Sequence, residues 1–449
     1  MEIILELAEI VKKCELVSRN ILMRKNTPHS EEKIQRNECL GKFDNLLYYG
    51  DNIDAILDLL NNGYNEKIDL IYIDPPFHTN ANYSKRVVIN YLGKKKALKY
   101  KAYTDIFKNG FKEYLEMITV RLLLMKELLS DRGSIYVHVD YRTVHYIKVI
   151  MDYIFGSESF LNEVVWSYKS GGSSKKQYSK KHDTILVYTK TKKYIFNPQK
   201  EKSYNRGYKP YKFKGVKEYQ DALGWYTLVN LKDVWQIDMV GRTSSERMGY
   251  ETQKPEALLE RIILTSSDND SIVADFFSGS GTTIAVAEKN NRRWIGVDSA
   301  STSISTIRKR LAIIDSKDYR IIKFNRDSDI ASIKYELISY DTVDKSTYRI
   351  RIALEEYNLD LDNLHINKKY IDTISEILEN DSLSLIDYIY ISIGQNNPLV
   401  VYEDYRDDKS LRIKEEVNFI VDKLNTDIRL NIIDVFGNIS IKKIELMTK

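Results

Sequence analysis

The chain is poor in the residues that build disulfide-stapled, zinc-bound or membrane-spanning proteins. Only two cysteines, Cys14 and Cys39, occur among 449 residues. No His/Cys cluster has metal-ligand spacing, so both read as ordinary reduced thiols and no metal site is expected. No apolar run approaches the roughly 20 residues that cross a bilayer. The N-terminus lacks the charged-then-apolar pattern of a secretion signal, which makes a cytoplasmic protein with no membrane association the expectation. What the chain does have is 43% hydrophobic content over 449 residues, enough for a full core in more than one domain.

The net charge of +4 conceals an asymmetry. Between Lys169 and Lys217 stand 15 Lys/Arg against 2 Asp/Glu, a local excess of 13, so the remainder of the chain carries a net −9. From Ile321 to Lys449 there are 17 basic and 24 acidic residues. A second basic stretch, Lys85 to Lys101, holds seven Lys/Arg and no acid and reads as a loop. Charge concentrated this way points to a polyanion partner, against the plainer reading of a solvated basic face.

The hydrophobic pattern predicts an α/β fold. Residues 1–44 read as a mostly helical leader. Leu46 to Asp51 reads as a strand, Ile53 to Leu60 as a helix that Asp51 or Asn52 can cap, and Leu70 to Asp74 as a second strand. Such a strand–helix–strand unit implies a parallel sheet. Apolar positions Leu115, Ile118, Leu122, Met125 and Leu129 mark one helix face. Lys190 to Thr243 loses the periodicity and mixes Lys with Tyr, Phe and Trp, as an insert does. Strand, glycine turn, helix and strand return from Ser271 to Asp298, and residues 315–449 read as a smaller α+β domain.

Two stretches carry the chemistry. In Leu70-Ile71-Tyr72-Ile73-Asp74-Pro75-Pro76-Phe77, two prolines end a strand and leave a carboxylate and a ring beyond it, where open α/β sheets bind ligands. In Asp275-Phe276-Phe277-Ser278-Gly279-Ser280-Gly281-Thr282, small residues let the backbone approach a ligand, and Asp298 follows 23 residues after Asp275. An acid at about that distance holds ribose hydroxyls in nucleotide-type sites. The third glycine of the dinucleotide fingerprint is missing, which disfavours a nicotinamide dehydrogenase. Without Gly-Lys-Ser/Thr, a phosphate-gripping loop is disfavoured too.

Together, these stretches resemble the amino-methyltransferases of DNA in their β-type order: an Asp-Pro-Pro-aromatic motif, then a recognition region, then Phe-x-Gly-x-Gly. Further matches are Gly50-Asp51-Asn52, Lys254-Pro255, the Trp166 to Tyr188 stretch and the terminal Asp434-Val435-Phe436-Gly437-Asn438, which is similar to the end of modification subunits of restriction systems. The resemblance implies a Rossmann-like methyltransferase fold with a mixed, mostly parallel sheet. Its catalytic half would be 45–189, a target-recognition insert 190–243 with a DNA-contacting loop from about 169, and its cofactor half 244–314. It implies S-adenosylmethionine as methyl donor and double-stranded DNA as substrate, with a cognate restriction subunit or a homodimer as further partners.

Under that resemblance Asp74, Pro75, Pro76 and Phe77 are catalytic. Acceptors on Asp74 and the Pro75 carbonyl favour a nucleophilic amine, and Phe77 stacks on a base flipped out of the duplex. Asp51, Lys254, Pro255, Asp275, Phe277, Ser278, Gly279, Ser280, Gly281, Thr282 and Asp298 are the expected cofactor residues. Lys85, Arg86, Lys94, Lys95, Lys96, Lys175, Lys176, Lys180 and Lys181 are the expected DNA contacts. Asp in the first motif position favours adenine N6. Cytosine N4, or a non-catalytic DNA-binding subunit of the same fold, are the alternatives. Many relatives carry Asn after the aromatic where this chain has His78, so no role carries over to that position.

Overall fold

A computed structural model describes residues 2–36, 44–170, 172–241, 243–324, 330–344, 346–364, 366–394, 398–407, 410–422 and 427–446. Cys39, part of the leader and Gly171 of the basic loop lie outside the described residues.

The alternating pattern of the first hundred residues builds α1 (Glu2–Leu22), β1 (Ser30–Ile34), β2 (Asn45–Tyr49), α2 (Asn52–Asn61) and β3 (Ile68–Ile73), followed by a hairpin of β4 (Asn82–Tyr91) and β5 (Lys94–Thr104). Next come α3 (Phe111–Leu128), β6 (Leu129–Val139), α4 (Val144–Phe155), β7 (Phe160–Ser167) and β8 (His182–Thr189). The insert holds β9 (Lys200–Tyr204), β10 (Glu218–Asp221), β11 (Gly224–Asn230) and β12 (Val234–Gln236). The βα rhythm resumes with α5 (Glu256–Ser266), β13 (Ile272–Asp275), α6 (Thr282–Lys289), β14 (Arg293–Asp298), α7 (Ser301–Ile313) and β15 (Tyr319–Lys323).

Ten strands form one sheet in the order β1-β15-β2-β14-β13-β3-β6-β8-β7-β12. The block from β15 to β6 is parallel, while β1, β8 and β7 join antiparallel. Side chains alternate faces along each strand. Leu46, Tyr48, Ile71 and Ile73 therefore pack with α1 to α4, whereas Leu47, Leu70 and Tyr72 pack with α5 to α7. Helices on both faces and near-continuous apolar strands identify a doubly wound, Rossmann-like sheet.

Three sequence expectations need correction. The leader is not merely helical: α1 buries Leu7, Ile10, Val11 and Cys14 in the main core, and β1 is the edge strand of the large sheet. Burial raises the Cys14 thiol to about 11, in keeping with an inert structural cysteine. The cofactor half also does not stop at 314, since β15 pairs with β2 inside the sheet. The third correction concerns Lys85 to Lys101, expected as a loop. It forms the β4–β5 hairpin, whose Val87, Ile89, Tyr91, Leu98 and Tyr100 are buried. The alternation of Val87, Ile89 and Tyr91 was the available signal, masked by the density of lysines.

The insert forms a three-stranded antiparallel sheet, β10-β11-β9, then returns through β12, which pairs parallel with β7. The C-terminal region holds β16 (Ala331–Thr342), β17 (Tyr348–Leu359), α8 (Ile371–Asp381), β18 (Ile386–Ile393), β19 (Leu399–Tyr405), β20 (Glu416–Val421), β21 (Ile428–Asp434) and β22 (Ile439–Lys443). They form two antiparallel sheets, β16-β17-β20 and β19-β18-β21-β22, matching the expected α+β character.

Buried ion pairs join the regions. Arg308 of α7, 1% exposed, reaches Glu32 of β1 at 2.7 Å and lies beside Tyr390 of β18. Arg308→Met leaves Glu32 with Lys323 and the Tyr390 hydroxyl as partners. Breaking a buried pair on one side costs about 3 kcal/mol or more, so urea unfolding should show a loss of that size. Unchanged stability would refute the joining role.

Candidate active site

Four neighbouring parallel strands, β2, β14, β13 and β3, deliver one carboxylate each at their carboxyl ends: Asp51, Asp298, Asp275 and Asp74. They surround a cavity of about 320 Å³, also lined by Tyr72, Arg121, Tyr250, Lys254 and the turn after β13. That is the size range of small-ligand sites.

Pro75 and Pro76 end β3 at Ile73, as the missing N–H groups require. Asp74 and Pro76 line the cavity, while Pro75 and Phe77 are not among its lining residues. One carboxylate oxygen of Asp74 receives the Lys254 ammonium, and the other, Oδ1, is buried without a hydrogen-bond partner. The Phe77 ring lies 5.9 Å from the His138 ring and 5.5 Å from the Lys254 ammonium. His138 is buried, bonded to Tyr72 Oη at 2.8 Å and Asp183 at 3.4 Å, so it is a strand side chain with its hydrogen bonds satisfied.

The residue that shapes this loop was not singled out in the sequence. Asp105, 1% exposed, accepts the Phe77 amide at 3.2 Å, the His78 amide at 3.0 Å and the Thr79 amide at 2.7 Å. It also accepts the Thr79 hydroxyl at 2.7 Å. No local pattern marks an aspartate that serves a loop 26 residues upstream. His78 adopts φ +56° and packs on Phe107, Phe111 and Tyr114, so it belongs to an aromatic cluster behind the loop.

On the other side, Gly279 and Gly281 take positive φ, and a Cβ on Gly281 would meet Ile307 at 2.7 Å. Only glycine permits that approach of the turn to α7. Asp298 accepts the Gly279 amide at 2.9 Å and the Ala300 amide at 2.9 Å, yet burial still raises its pKa. Asp275 accepts the Thr283 hydroxyl at 2.6 Å and the Phe277 amide at 2.9 Å, and burial pushes it up to about 7. Asp51 caps α2 by accepting the Ile53 amide at 2.7 Å and pairs with Arg121 at 3.1 Å. Of the expected cofactor residues, Asp51, Lys254, Asp275, Phe277, Ser278, Gly279, Ser280, Thr282 and Asp298 line the cavity; Pro255 and Gly281 do not. Pro255 is the N-cap of α5. Asn52, Tyr72, Arg121 and Tyr250 also line it and were not foreseen.

The expected DNA contacts divide. Lys85 is buried, donates to Thr306 at 2.8 Å and is lowered to about 8 by burial, so it does not meet a phosphate. Lys96 pairs with Glu376 at 3.0 Å. Arg86, Lys94, Lys95, Lys175, Lys176 and Lys180 are exposed, Lys180 lying 3.7 Å from the Tyr141 ring. Lys181 ties its own loop to the Ser170 carbonyl at 2.9 Å. Tyr178, Tyr208, Tyr211 and Phe213 are exposed near these basic segments in sequence.

No described helix is long and apolar enough to cross a membrane, and no group of three metal-ligating side chains occurs among the described residues. Fold and site together define a Rossmann-like enzyme class with a nucleoside-type pocket beside an Asp-Pro-Pro-Phe loop. A model of the DNA methylase family matches residues 68–309. The chain belongs to this N6/N4 DNA methylase family. It is 28% identical to the Type II methyltransferase M.EcaI of Enterobacter cloacae, over 66% of this chain and 77% of that protein. It is 31% identical to M.HpaI of Haemophilus parainfluenzae, over 60% and 74%. The DNA adenine methyltransferase YhdJ of Escherichia coli (strain K12) is 30% identical, over 55% and 77%.

Asp275 supplies a pH test of the site. Its folded pKa is raised to about 7 from 3.8, so the stability it contributes is full below about pH 4 and is lost as pH rises through 7. Asp275→Asn mimics the protonated form. Ligand-free variant and parent should diverge in thermal stability between pH 4 and 7, the variant becoming the more stable by on the order of 2–4 kcal/mol. A gap independent of pH would contradict the burial argument.

Proposed function

We propose that the chain transfers a methyl group from S-adenosylmethionine to the exocyclic N6 of an adenine flipped out of duplex DNA, as the modification component of a restriction-modification system. The observation that carries this reading is Asp74 Oδ1, a buried carboxylate oxygen with no partner in the protein. Burying such an acceptor is unfavourable unless a ligand donor completes it. An amino group beside it is the donor the chemistry needs.

The pocket suits the methyl donor. Four carboxylates face two cations, Lys254 and Arg121, which favours a ligand carrying positive charge. Asp298 would take ribose hydroxyls on its remaining acceptor capacity, and the Phe277 to Gly281 turn would pass along the methionine part. When bound, S-adenosylmethionine supplies an electrophilic sulfonium methyl. Asp74 Oδ1 accepts one amine N–H and so stabilises the positive charge that grows on the nitrogen during attack. The Pro75 carbonyl is the proposed second acceptor, and Phe77 offers the base a stacking face worth ~1–3 kcal/mol. A duplex base reaches this depth only by leaving the stack.

Lys254 receives a different role from the one first expected. Its ammonium holds Asp74 Oδ2, while its own carbonyl accepts the Thr282 hydroxyl at 3.0 Å. It therefore positions the acceptor and links it to the cofactor turn. The exposed lysines of the Lys169 to Asp183 loop and the insert 190–243 supply phosphate contacts and sequence readout. A restriction subunit or a second copy of the chain is the proposed partner. Among the relatives is the Type III restriction-modification enzyme StyLTI Mod subunit of Salmonella typhimurium.

Incubating the chain with duplex DNA and labelled donor, then analysing nucleosides by mass, tests the reading. N6-methyladenine is expected; N4-methylcytosine would change the target base, and no methylated base would refute transferase activity. Asp74→Ala should lower the rate by about 10³-fold or more with the thermal melt retained. Lys254→Met should lower kcat about 10–100-fold while the donor Kd stays within about threefold. The opposite pattern, a weakened Kd with kcat intact, would return Lys254 to the cofactor.

A further inference from the structure

The β4–β5 hairpin begins directly after the catalytic loop and pairs only with itself among the described strands. Its buried side chains, Val87, Ile89, Tyr91, Leu98 and Tyr100, share one apolar cluster with C-terminal residues such as Ile350, Ile389, Phe419 and Phe436. No residue of the large sheet belongs to that cluster. Several polar contacts also reach the C-terminal region, while Lys85 donates to Thr306 of α7 and Lys99 pairs with Glu251 on the other side. Tyr100 donates its hydroxyl to the Val435 carbonyl, and Tyr91 donates to Glu376 at 3.1 Å. Arg406 reaches the Val88 carbonyl at 3.1 Å, and the Leu92 amide reaches Asp381 at 3.2 Å. By its packing, the hairpin is part of the C-terminal domain, although it lies within the first hundred or so residues.

Its base is part of the active site. Asp105 follows β5 directly, and its amide donates to the Ala81 carbonyl at 2.9 Å, closing the hairpin below Asn82. The same residue's carboxylate holds the amides of Phe77, His78 and Thr79. Thr104 and Tyr250 line the cavity, and Tyr250 bridges to Lys85 of β4. A second contact reaches the other wall: a Cβ on Gly437 would come within 2.8 Å of the Ser301 backbone at the start of α7, three residues after Asp298. The apolar packing that fixes the hairpin thus lies in one domain, and the loop that it fixes lies in another.

We propose that the C-terminal domain is a positioning element of the active site: by holding the β4–β5 hairpin, it sets Asp105 and through it the backbone of the Asp74–Thr79 loop. This rests on the assignment of that loop as catalytic, but the physical coupling does not. The consequence is that loosening the core of β18 and β21, far along the sequence, loosens the catalytic loop before the large sheet.

Hydrogen exchange on the full chain, read by mass spectrometry, tests this with Ile432→Ala, a truncation at a fully buried position of β21. Amides of 77–105 are expected to exchange about tenfold faster or more, with β3 and β6 unchanged. In the same variant kcat should fall about tenfold while the donor Kd stays within about threefold. Unchanged exchange in 77–105, or an equal rise in β3 and β6, would overturn the proposal. Because exchange is read without turnover, an error in the methyl-transfer assignment would show as normal coupling with no methylated product.

Discussion

Four carboxylates brought to one edge of a sheet repel one another and resist burial, and the site depends on how that repulsion is relieved. Parallel strand order places them there: β2, β14, β13 and β3 are neighbours, and each ends in or just before an aspartate. Asp51 and Asp74 are relieved by Arg121 and Lys254. Asp298 has backbone amides and the Ser303 side chain, and Asp275 an amide and a hydroxyl. Hydrogen bonds without a cation leave these two with raised pKa values, since burial outweighs them. The pocket thus carries an electrostatic strain that a positively charged ligand would relieve.

Much of this was legible in the chain because it is local. Pro75-Pro76 end β3 by lacking N–H groups, α6 and β14 fall where the glycine turn and the apolar runs put them, and Asp51 caps the helix it precedes. What was not legible is long-range. Asp105 serves a loop across an intervening hairpin, and Lys254 meets Asp74 over 180 residues of sequence. The edge strand β1 finds β15 nearly 300 residues on. Short-range periodicity carries no information about such pairings. The misreading of the hairpin has another cause: lysine-rich composition suggested a solvated loop, but one face of each strand was apolar.

The charge asymmetry also resolves into two different things. Lysines of the hairpin face acidic groups within the chain, Lys96 at Glu376 and Lys99 at Glu251, and Lys85 lies buried near Asp387. The hairpin's basic run and the acidic C-terminal region are thus in part complementary to each other. The Lys169 to Lys217 run is different, because Lys175, Lys176 and Lys180 stand exposed on a loop with Tyr178 fully in solvent. Basic density alone did not separate these cases. Alternation did: one run interleaves its lysines with buried apolar residues, and the other interleaves them with Ser, Gly and Tyr.

That separation bears on why a methyltransferase sheet carries a further domain. The Asp74–Thr79 loop opens with Pro75 and Pro76, which fix φ but donate no hydrogen bond, so its backbone must be held from outside the strand. Asp105 does this with one carboxylate, and a carboxylate can hold three amides in register only if its own backbone is fixed. A two-stranded hairpin is marginally stable alone in water. Packing it on the C-terminal sheets supplies the rigidity that its own two strands cannot. The domain farthest from the motifs in sequence is, in this arrangement, what makes the geometry of the Asp74 loop definite.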